Sequence, residues 1–343
     1  MIKTLDIKNF RGYQEVSLKG ISNINIIVGA NGSGKTALLE AIYLALGAHP
    51  ELYFKIRKSR GLGESISLST NLWSDMFFES NKDTNAIISY TGSSKHNRTL
   101  EVYYDKESST IIPFDEQVSD VTLQNVIAFK WAGDGEERKV HGVITRLGVK
   151  LAGNPEPQMG SFFSSRSILD PTEASKGFSQ LMINNREKEV IKAMKRIFPD
   201  ILNLSVADPE GVSMVYAALR NVSRKIPLGL VSSGINKVLP LLIGSFVVSN
   251  GVLLVDEIEN GLYYKTMGNI WKELIRFSRA NNTQLFISSH SLECLKSLLP
   301  ILKGNEKHFA LIKPKFEKGR CTARVIEGKF FEASLERDVE FRD

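Results

Sequence analysis

The stretch that most constrains this chain spans residues 26–36 and reads IIVGANGSGKT. Residues 29–36 match the pattern G-x-x-x-x-G-K-[ST] at every fixed position. The apolar, β-branched residues before the pattern predict a buried strand, and residues 35–46 carry apolar side chains at helical spacing. A glycine-rich turn between a strand and a helix is the arrangement in which this pattern holds a phosphate group.

The residue types in this loop suit a nucleoside triphosphate. Glycines allow the backbone to take positive φ angles and approach a phosphate, and the loop N–H groups then face the anion. We expect Lys35 to reach the β- and γ-phosphates and the Thr36 hydroxyl to bind Mg²⁺. A chance match in a chain of this length has a probability on the order of one in a hundred. The candidate nucleotide-binding residues of the loop are Gly29, Ala30, Asn31, Gly32, Ser33, Gly34, Lys35 and Thr36.

A second stretch supplies the acids that a triphosphate site needs. Residues 251–257 read GVLLVDE, an apolar run that ends in two carboxylates. Such a run predicts a buried parallel strand whose carboxyl end opens into a site. Beside a phosphate loop, we assign Asp256 to Mg²⁺ and Glu257 to the role of general base for the attacking water. The alternative is a pair of acids that caps a turn after a core strand.

A third stretch, QLFISSHS at residues 284–291, predicts another buried strand that ends at a polar cluster. If this strand joins the same sheet, His290 lies at the same rim, within reach of a γ-phosphate. The alternative is a purely structural histidine. We therefore take Lys35, Glu257 and His290 as the candidate catalytic residues.

Composition places the chain among ordinary globular proteins. Its 343 residues, 42% hydrophobic and 24% charged, suffice for one or two domains. The net charge of +6 permits contact with nucleic acid without requiring it. Cys294 and Cys321 lack metal-ligand spacing and indicate a reducing compartment. The start lacks the apolar region of a signal peptide, and the apolar stretch 238–255 contains proline and glycine, so we expect a soluble, cytoplasmic protein without a membrane segment.

The rest of the chain supports coarser predictions. Residues 2–28 alternate apolar and polar side chains and predict strands. Residues 131–160 are rich in polar and turn residues and predict a mobile surface excursion. Short patterns predict the remaining elements: antiparallel strands at 86–90 and 99–104, a strand that returns to the central sheet at 161–166, helices within 172–197 and 235–248, and a hairpin or strand pair at 211–221.

Taken in this order, the phosphate loop, the acidic pair and His290 resemble the ATP-binding-cassette (ABC) type of ATPase head. Within that group the chain is similar to the SMC, RecF and OLD-family ATPases, because residues 7–12 read IKNFRG and the loop reads GANGSGKT. Residues 256–264, DEIENGLYY, look like the DEIENGLHY of small bacterial OLD-like ATPases. The resemblance implies an α/β fold of the P-loop NTPase class, an ABC-ATPase-like head with a mixed central sheet, an antiparallel β lobe and a helical lobe.

The resemblance also implies a division of the chain into parts of one domain. We expect a single ABC-type ATPase domain over residues 1–343. Residues 1–47 and 238–343 would form its nucleotide-binding core. Residues 48–160 would form a β-rich or irregular insertion, and residues 170–237 a helical lobe that ends in a signature segment.

The family's signature segment lies just ahead of the acidic strand. Here residues 230–237 read LVSSGINK, and Ser232 and Gly234 match the serine and the second glycine of the family's LSGGQ pattern. In the family, two heads dimerise and each signature faces the nucleotide held by the other, which implies a homodimer or higher oligomer closed around ATP. A simple helix N-cap is the alternative for this segment.

Four more residues enter through the resemblance or its gaps. Asn9 and Arg11 match family residues that lie near the nucleotide, and we include them among the candidate ATP contacts. No convincing glutamine stands at the family's metal-sensing loop, where Gln158 is the candidate. Arg166, at the end of the expected 161–166 strand, would instead contact phosphate or respond to the nucleotide state.

The resemblance implies an ATPase, with ATP and Mg²⁺ as ligands, that dimerises on ATP and regulates or loads a separate effector. We expect a nuclease or toxin as that effector, in bacterial anti-phage defence. About fifty residues follow His290, too few for the TOPRIM domain of OLD nucleases, so we expect the effector activity on another chain. Two alternatives stay open. One is a RecF-like DNA-binding ATPase in repair, suggested by basic runs at 55–60 and 313–324; the other is a nucleotide sensor or scaffold that does not hydrolyse ATP.

Overall fold

The computed structural model describes residues 1–47, 49–62, 72–93, 97–105, 126–145, 148–153, 159–165, 171–209 and 211–337. The strands, in chain order, are β1 (Ile2–Phe10), β2 (Tyr13–Lys19), β3 (Ile24–Val28), β4 (Ala86–Gly92), β5 (Asn97–Tyr104), β6 (Val126–Gly133), β7 (Glu136–Thr145), β8 (Gly148–Ala152), β9 (Gly160–Phe163), β10 (Ile201–Ala207), β11 (Met214–Leu219), β12 (Ile226–Pro227), β13 (Val252–Val255), β14 (Gln284–Ser289), β15 (Phe309–Glu317) and β16 (Arg320–Glu327).

The α-helices are α1 (Lys35–Gly47), α2 (Pro50–Ser59), α3 (Pro171–Ile183), α4 (Glu187–Ile197), α5 (Ser233–Val247), α6 (Met267–Ala280), α7 (Leu292–Lys296), α8 (Leu299–Leu302) and α9 (Gly328–Glu336). Within the described ranges, none of these helices combines the length and the apolar character that crossing a membrane requires.

A six-stranded sheet forms the centre of the fold, in the order β16-β15-β3-β14-β13-β9. The strands from β15 to β9 pair in parallel and β16 pairs antiparallel with β15, so the sheet is mixed, as the resemblance implies. β3, β13 and β14 are buried along their whole length, which explains their nearly unbroken apolar sequences. Along β3, Ile26 and Ile27 belong to cores on opposite faces of the sheet, as the two-residue period of a strand requires.

One face of the central sheet is covered by α1 and by an antiparallel seven-stranded sheet of order β2-β1-β4-β5-β6-β7-β8. β1 and β2, which the sequence analysis assigns to the nucleotide-binding core, therefore pair within the lobe built from residues 48–160. The expected mobile excursion at 131–160 is wrong for its described part, because β6, β7 and β8 are paired strands. Asp134 and Gly135, both with positive φ, form the two-residue turn that joins β6 to β7.

The other face of the central sheet is covered by helices, chiefly α3, α4, α5 and α6. In α4, Met194 and Ile197 are buried in this core, as their helical spacing predicts. The lobe at residues 170–237 is not purely helical, because β10, β11 and β12 form a three-stranded antiparallel sheet. Leu204, Val215 and Ala217 are buried in the core from that small sheet, since alternation in β10 and β11 turns one face inward. The single domain over residues 1–343 stays a prediction.

Candidate nucleotide-binding site

Three neighbouring strands of the central sheet bring the predicted site residues to one edge. β3 runs into the phosphate loop, β13 ends directly before Asp256, and β14 ends directly before His290. β14 lies between the other two, and all three are parallel. Because the carboxyl ends of parallel strands meet at one edge, segments far apart in sequence form a common site.

The phosphate loop packs closely against the protein interior. Gly32 and Gly34 have φ angles of 78° and 102°, a region that other L-residues rarely adopt. A Cβ atom on Gly34 would lie 2.8 Å from the Tyr13 hydroxyl oxygen and 2.9 Å from Cys321 Sγ. The Tyr13 hydroxyl donates to the carbonyl oxygen of Gly34 at 3.1 Å. The start of β2 and the start of β16 therefore pack against the loop.

The buried side chain of Lys35 folds back over the loop. Its Nζ donates to the carbonyl oxygens of Gly29 at 2.7 Å and of Ala30 at 2.9 Å. An ammonium group has three N–H donors, so one remains for a phosphate oxygen. Burial lowers the pKa of Lys35, and nearby carboxylates, Asp256 first among them, oppose that shift. A bound triphosphate would supply further negative charge that favours the ammonium form.

The proposed metal ligands are in direct contact. The Thr36 hydroxyl donates to Asp256 Oδ2 at 2.9 Å, across a sequence separation of 220 residues. The second carboxylate oxygen, Oδ1, accepts a hydrogen bond of 2.5 Å from the Ser288 hydroxyl. Ser288 Oγ in turn accepts from the backbone N–H of Glu257 at 2.8 Å. No role for Ser288 was predicted from sequence, although a serine next to the apolar residues of a buried strand is a usable signal.

The residues present fit a triphosphate with Mg²⁺. Mg²⁺ is commonly bound by one or two protein oxygens together with phosphate oxygens and water. Thr36 and Asp256 can supply these protein oxygens. Ser33 Oγ is buried and, within the described residues, has no hydrogen-bond partner. The described residues contain no cluster of three or more His, Cys, Asp or Glu side chains suited to a metal, so a dedicated protein cage is not present there.

Glu257 combines an unusual backbone with an uncommitted carboxylate. Its φ angle is 47°, which is uncommon for a residue other than glycine and typical of functional loops. Lys237 of α5 donates from Nζ to the carbonyl oxygens of Glu257 at 2.8 Å and Asn260 at 2.9 Å. Burial lowers the pKa of Lys237, and the neighbouring acids oppose this. The Glu257 carboxylate forms no hydrogen bond or ion pair with the residues that the structure describes.

His290 lies at the end of β14 and its side chain is 44% exposed. Its Nδ1 is 3.0 Å from Oε1 of Glu259, and its backbone N–H donates to the same oxygen at 2.7 Å. Glu259 is a functional candidate that the sequence analysis missed, although it stands only two residues after Glu257. The structure thus brings Lys35, Glu257 and His290 to one edge of the sheet; their catalytic roles stay predictions.

The signature-like segment lies beside the acidic loop. Ser232 is the N-cap of α5, and its hydroxyl accepts from the backbone N–H of Ile235 at 3.3 Å. This is the capping role that the sequence left as an alternative. Ser233 Oγ donates to the carbonyl oxygen of Gly261 at 3.4 Å, which ties the segment to the loop after Glu257. Ser232 and Gly234 form no hydrogen bond with the phosphate loop of the same chain in the described ranges, so a contact with ATP in a partner subunit stays a prediction.

Asn9 and Arg11 make their polar contacts away from the phosphate loop. Asn9 Nδ2 donates to the carbonyl oxygen of Asn85 at 3.3 Å. Arg11 Nε lies 2.7 Å from Oε2 of Glu40, a fully buried carboxylate on α1 whose other oxygen is 2.7 Å from Arg60 Nε. Burial lowers the pKa of Arg11, and Glu40 opposes this. Arg11 therefore fixes the β1–β2 turn to the helix that follows the loop, and its contact with nucleotide stays a prediction.

Two further candidates lie outside the described residues. Gln158, the candidate metal-sensing glutamine, and Arg166, the candidate phosphate contact, fall in ranges that the structure does not describe. The strand expected at 161–166 is present as β9, which pairs in parallel with β13.

Family models match most of the region that carries this site. A model of the AAA ATPase domain matches residues 1–203, more than half of the 343 residues. A second model, whose description begins "AAA domain" and names the AbiEii toxin and a Type IV TA system, matches residues 137–295.

Individual proteins also align with this chain in sequence. An ATP/GTP phosphatase of Helicobacter pylori is 27% identical over 379 aligned positions, which cover 98% of this chain and 97% of that protein. The DNA replication and repair protein RecF of Idiomarina loihiensis is 60% identical over 43 residues, 12% of each chain.

Among solved structures, an Smc head bound to the C-winged helix domain of ScpA superimposes with a TM-score of 0.51 at 14% identity, over 95% of this chain and 98% of that one. An Smc head domain with an extended coiled coil, from Pyrococcus furiosus, gives a TM-score of 0.52 at 14% identity, over 98% of this chain and 99% of that one. These likenesses concern the fold alone. With the phosphate loop, the acidic strand and their contact described above, the chain belongs to the AAA ATPase domain family and has the fold of an ABC-type ATPase head of the SMC and RecF kind.

Proposed function

We propose that this protein hydrolyses ATP with Mg²⁺ at the edge of the central sheet, and that ATP closes two copies into a dimer that controls a separate effector protein. The observation that carries the proposal is the 2.9 Å contact between Thr36 and Asp256. It joins the phosphate loop to the acidic strand at the position where a nucleotide-bound metal is held in this class of ATPase.

The chain's own residues account for binding and for the chemical step. Lys35 and the loop N–H groups hold the triphosphate, and Thr36 with Asp256 would hold Mg²⁺. When bound, Mg²⁺ offsets negative charge on the β- and γ-phosphate oxygens. The Glu257 carboxylate orients a water molecule in line with the γ-phosphate and accepts its proton. His290 stabilises the charge that develops on the γ-phosphoryl group.

The dimer part of the proposal rests on the surface around the signature-like segment. Ser232 is exposed at the start of α5, where helix N–H groups favour an anion. Leu230 is 77% exposed just before it, and Tyr263 and Tyr264 are each 58% exposed just after the acidic loop. Hydrogen bonds between α5 and residues 260–261 bring these apolar side chains to the same region. Exposed apolar groups beside a helix N-terminus suit a second copy that carries its own ATP.

The effector part of the proposal rests on the family match at residues 137–295, whose description names a toxin–antitoxin system. We propose that the effector is a nuclease or toxin on another chain and that its regulation or loading by this ATPase serves bacterial anti-phage defence. The test is affinity purification from cells that carry the native gene neighbourhood. A partner retained by Glu257→Gln protein with ATP, and lost by Lys35→Ala protein, supports this role. The absence of any nucleotide-dependent partner contradicts it.

The hydrolysis itself is tested by phosphate release and ATP binding measured on the same preparations. Lys35→Ala should lose ATP binding, because its ammonium group is the cation that reaches the phosphates. Glu257→Gln should bind ATP as wild type does, with phosphate release lowered about a hundredfold or more. Glu293→Gln, at an exposed carboxylate of α7, is the matched control and should behave as wild type. Wild-type protein that binds ATP and releases no phosphate would contradict hydrolysis and favour a nucleotide sensor.

A second candidate function, DNA binding, is favoured by one surface. Lys313, Lys315, Thr322 and Arg324 line a shallow cavity of about 280 Å³ on the β15–β16 hairpin. Cation-rich surfaces bind nucleic-acid backbones with strong salt dependence. Fluorescence anisotropy of labelled duplex DNA, with and without ATP, tests this function. Binding that weakens with salt and with Arg324→Glu supports it; no binding at low salt contradicts it.

A further inference from the structure

The mechanism above gives no role to Glu259, the third acid of the loop that follows β13. Its side chain is only 13% exposed, and its Oε2 atom is buried with no hydrogen-bond partner among the described residues. A carboxylate in such surroundings loses its hydration, so it stays ionised only where other groups compensate for the lost contacts with water. Its hydrogen-bond and ion-pair contacts among the described residues lie at the end of β14, in the segment that carries His290, while Lys237 and Lys35 attract it from farther away.

Three donors converge on a single oxygen, Glu259 Oε1. The backbone N–H of His290 donates to it at 2.7 Å and the backbone N–H of Ser291 at 3.1 Å. The Nδ1 atom of His290 lies 3.0 Å from the same oxygen. Glu259 therefore fixes both the main chain and the imidazole of His290, across a sequence separation of 31 residues.

This arrangement decides which ring nitrogen of His290 is available. Because an ionised carboxylate only accepts hydrogen bonds, the contact with Glu259 places a hydrogen on Nδ1. Nε2 forms no hydrogen bond with the described residues and is the nitrogen left for the γ-phosphoryl group or its water. A histidine without this contact could rotate about its side-chain bonds and present either nitrogen.

We propose that Glu259 is a positioning residue for ATP hydrolysis, which orients His290 so that Nε2 meets the γ-phosphoryl group. The inference rests on the proposed ATPase function. Glu259 also links the acidic loop to the end of β14, so the general base Glu257 and His290 keep a constant separation. A residue that acts through His290 should change the rate of the chemical step and leave ATP affinity unaltered.

A purely structural role gives different expectations. Ser291 is the N-cap of α7, and Glu259 accepts its backbone N–H, so a structural carboxylate would only hold the start of that helix. Loss of this carboxylate would then lower thermal stability and ATP affinity together. The effect of its loss would also be independent of His290. The two roles are therefore separable by kinetics.

The experiment compares kcat, KM, ATP binding and melting temperature for Glu259→Ala, Glu259→Gln, His290→Ala and the double variant Glu259→Ala/His290→Ala. Glu259→Ala should lower kcat about tenfold or more with ATP affinity within about twofold of wild type. The double variant should be no slower than His290→Ala, because both single changes disrupt the same Glu259–His290 pair. Glu259→Gln should retain most of kcat, since its amide oxygen can accept the same three hydrogen bonds. Glu293→Ala, which lies on the same segment without contacting His290, should match wild type.

Four results would overturn the inference. Three of them are wild-type kcat in Glu259→Ala, a loss confined to stability or ATP affinity, and losses that multiply in the double variant. A Gln variant as slow as the Ala variant would also overturn it, because charge and not hydrogen-bond geometry would then be decisive. Wild-type protein and Glu257→Gln, assayed in parallel, separate this failure from that of the ATPase proposal. If wild-type protein binds ATP and releases no phosphate, the proposed function itself fails, whereas wild-type phosphate release by Glu257→Gln would refute only the general-base role of Glu257. If only Glu257→Gln loses activity, the role of Glu259 alone fails.

Discussion

Asp256 is held by two hydroxyl groups that reach it from different elements. Thr36 comes from the first turn of α1 and Ser288 from β14, and each binds one carboxylate oxygen. Ser288 Oγ also accepts a hydrogen bond from the backbone N–H of Glu257, so one buried hydroxyl contacts both the proposed metal ligand and the proposed general base. The geometry of both acids therefore depends in part on Ser288.

Replacement of Ser288 by alanine tests that dependence. Ser288→Ala leaves the buried N–H of Glu257 without its acceptor, which should lower the free energy of unfolding by about 1–3 kcal/mol. It also frees one oxygen of Asp256, so we expect weaker Mg²⁺ dependence of ATP binding. Denaturant unfolding and ATP binding over a Mg²⁺ titration measure both effects. Ser334→Ala, at an exposed hydroxyl of α9, is the control; equal behaviour of the two variants would contradict the expectation.

The burial of the two cysteines can be tested by thiol labelling and by the pH dependence of stability. Burial raises the pKa of Cys294 to about 12 and also raises the pKa of Cys321. Because the thiolate is the reactive form, both groups should be inert to thiol reagents at pH 8 in the native protein. In denaturant both should react fully. Since the folded pKa values are raised, these thiols should also make native stability fall as pH rises above about 8.5. Rapid labelling of either cysteine in native protein would contradict the packing.

At the residue scale, sequence alone predicts the groups that belong to contiguous patterns. Asp256 and Glu257 follow an apolar run, so their placement at a strand end could be predicted. Ser288, Glu259 and Lys237 could not be predicted with their roles, because each role exists only where two distant segments meet.

At the scale of elements, α5 connects the signature-like segment to the acidic loop. Its first turn carries Ser232 and Gly234, and Lys237 one turn later donates to two carbonyl oxygens of the loop that holds Glu257. A displacement of α5 by a partner subunit would therefore be transmitted to the backbone of Glu257. That backbone is in an unusual conformation, which a lost hydrogen bond would release.

Lys237→Met tests this connection. The methionine keeps the apolar part of the side chain and removes the ammonium group, so both carbonyl oxygens lose their donor. We expect kcat to fall about tenfold while ATP affinity stays within about twofold of wild type, because the phosphate loop is untouched. Steady-state kinetics and ATP binding measure this. Lys272→Met, at an exposed lysine of α6, should have no effect; a Lys237→Met protein with wild-type kcat would show that α5 and the loop act independently.

Elements with strong periodicity were predictable, and those defined by long-range pairing were not. β3, β13, β14, α1 and α5 follow from apolar runs and helical spacing in single segments. β7 begins with four charged residues, Glu136–Lys139, whose side chains are exposed, and its sequence therefore indicated a loop. The sequence pattern of β10 and β11 was also weak, because only one face of their small sheet is buried.

At the scale of the whole molecule, the central sheet separates a β lobe from a helical lobe and opens its carboxyl edge to the nucleotide. The exposed side chains of Leu230, Tyr263 and Tyr264 flank that region. A dimer would cover them and would bring Ser232 of one copy toward the ATP of the other. In the proposed dimer, ATP would be a component of the interface.

Leu230→Asp tests the interface without touching the ATP site. A charge placed on an apolar contact surface disfavours its burial, so this variant should stay monomeric with ATP and Mg²⁺ while binding ATP as wild type does. Light scattering gives the mass and a fluorescent ATP analogue the affinity. Phe330→Asp, at another exposed apolar residue on α9, is the matched control and should dimerise normally. Dimerisation of Leu230→Asp protein would exclude this surface.

The most direct test of the account is the mass of Glu257→Gln protein in solution, with and without ATP and Mg²⁺. The single change slows hydrolysis and should leave ATP bound, so a closed state accumulates. If ATP closes two copies into a dimer, the mass should shift from the monomer value of 38.3 kDa to twice that value when ATP and Mg²⁺ are added. Lys35→Ala protein, which cannot hold ATP, should stay at the monomer mass. An unchanged mass in Glu257→Gln protein that is saturated with ATP would contradict the ATP-closed dimer.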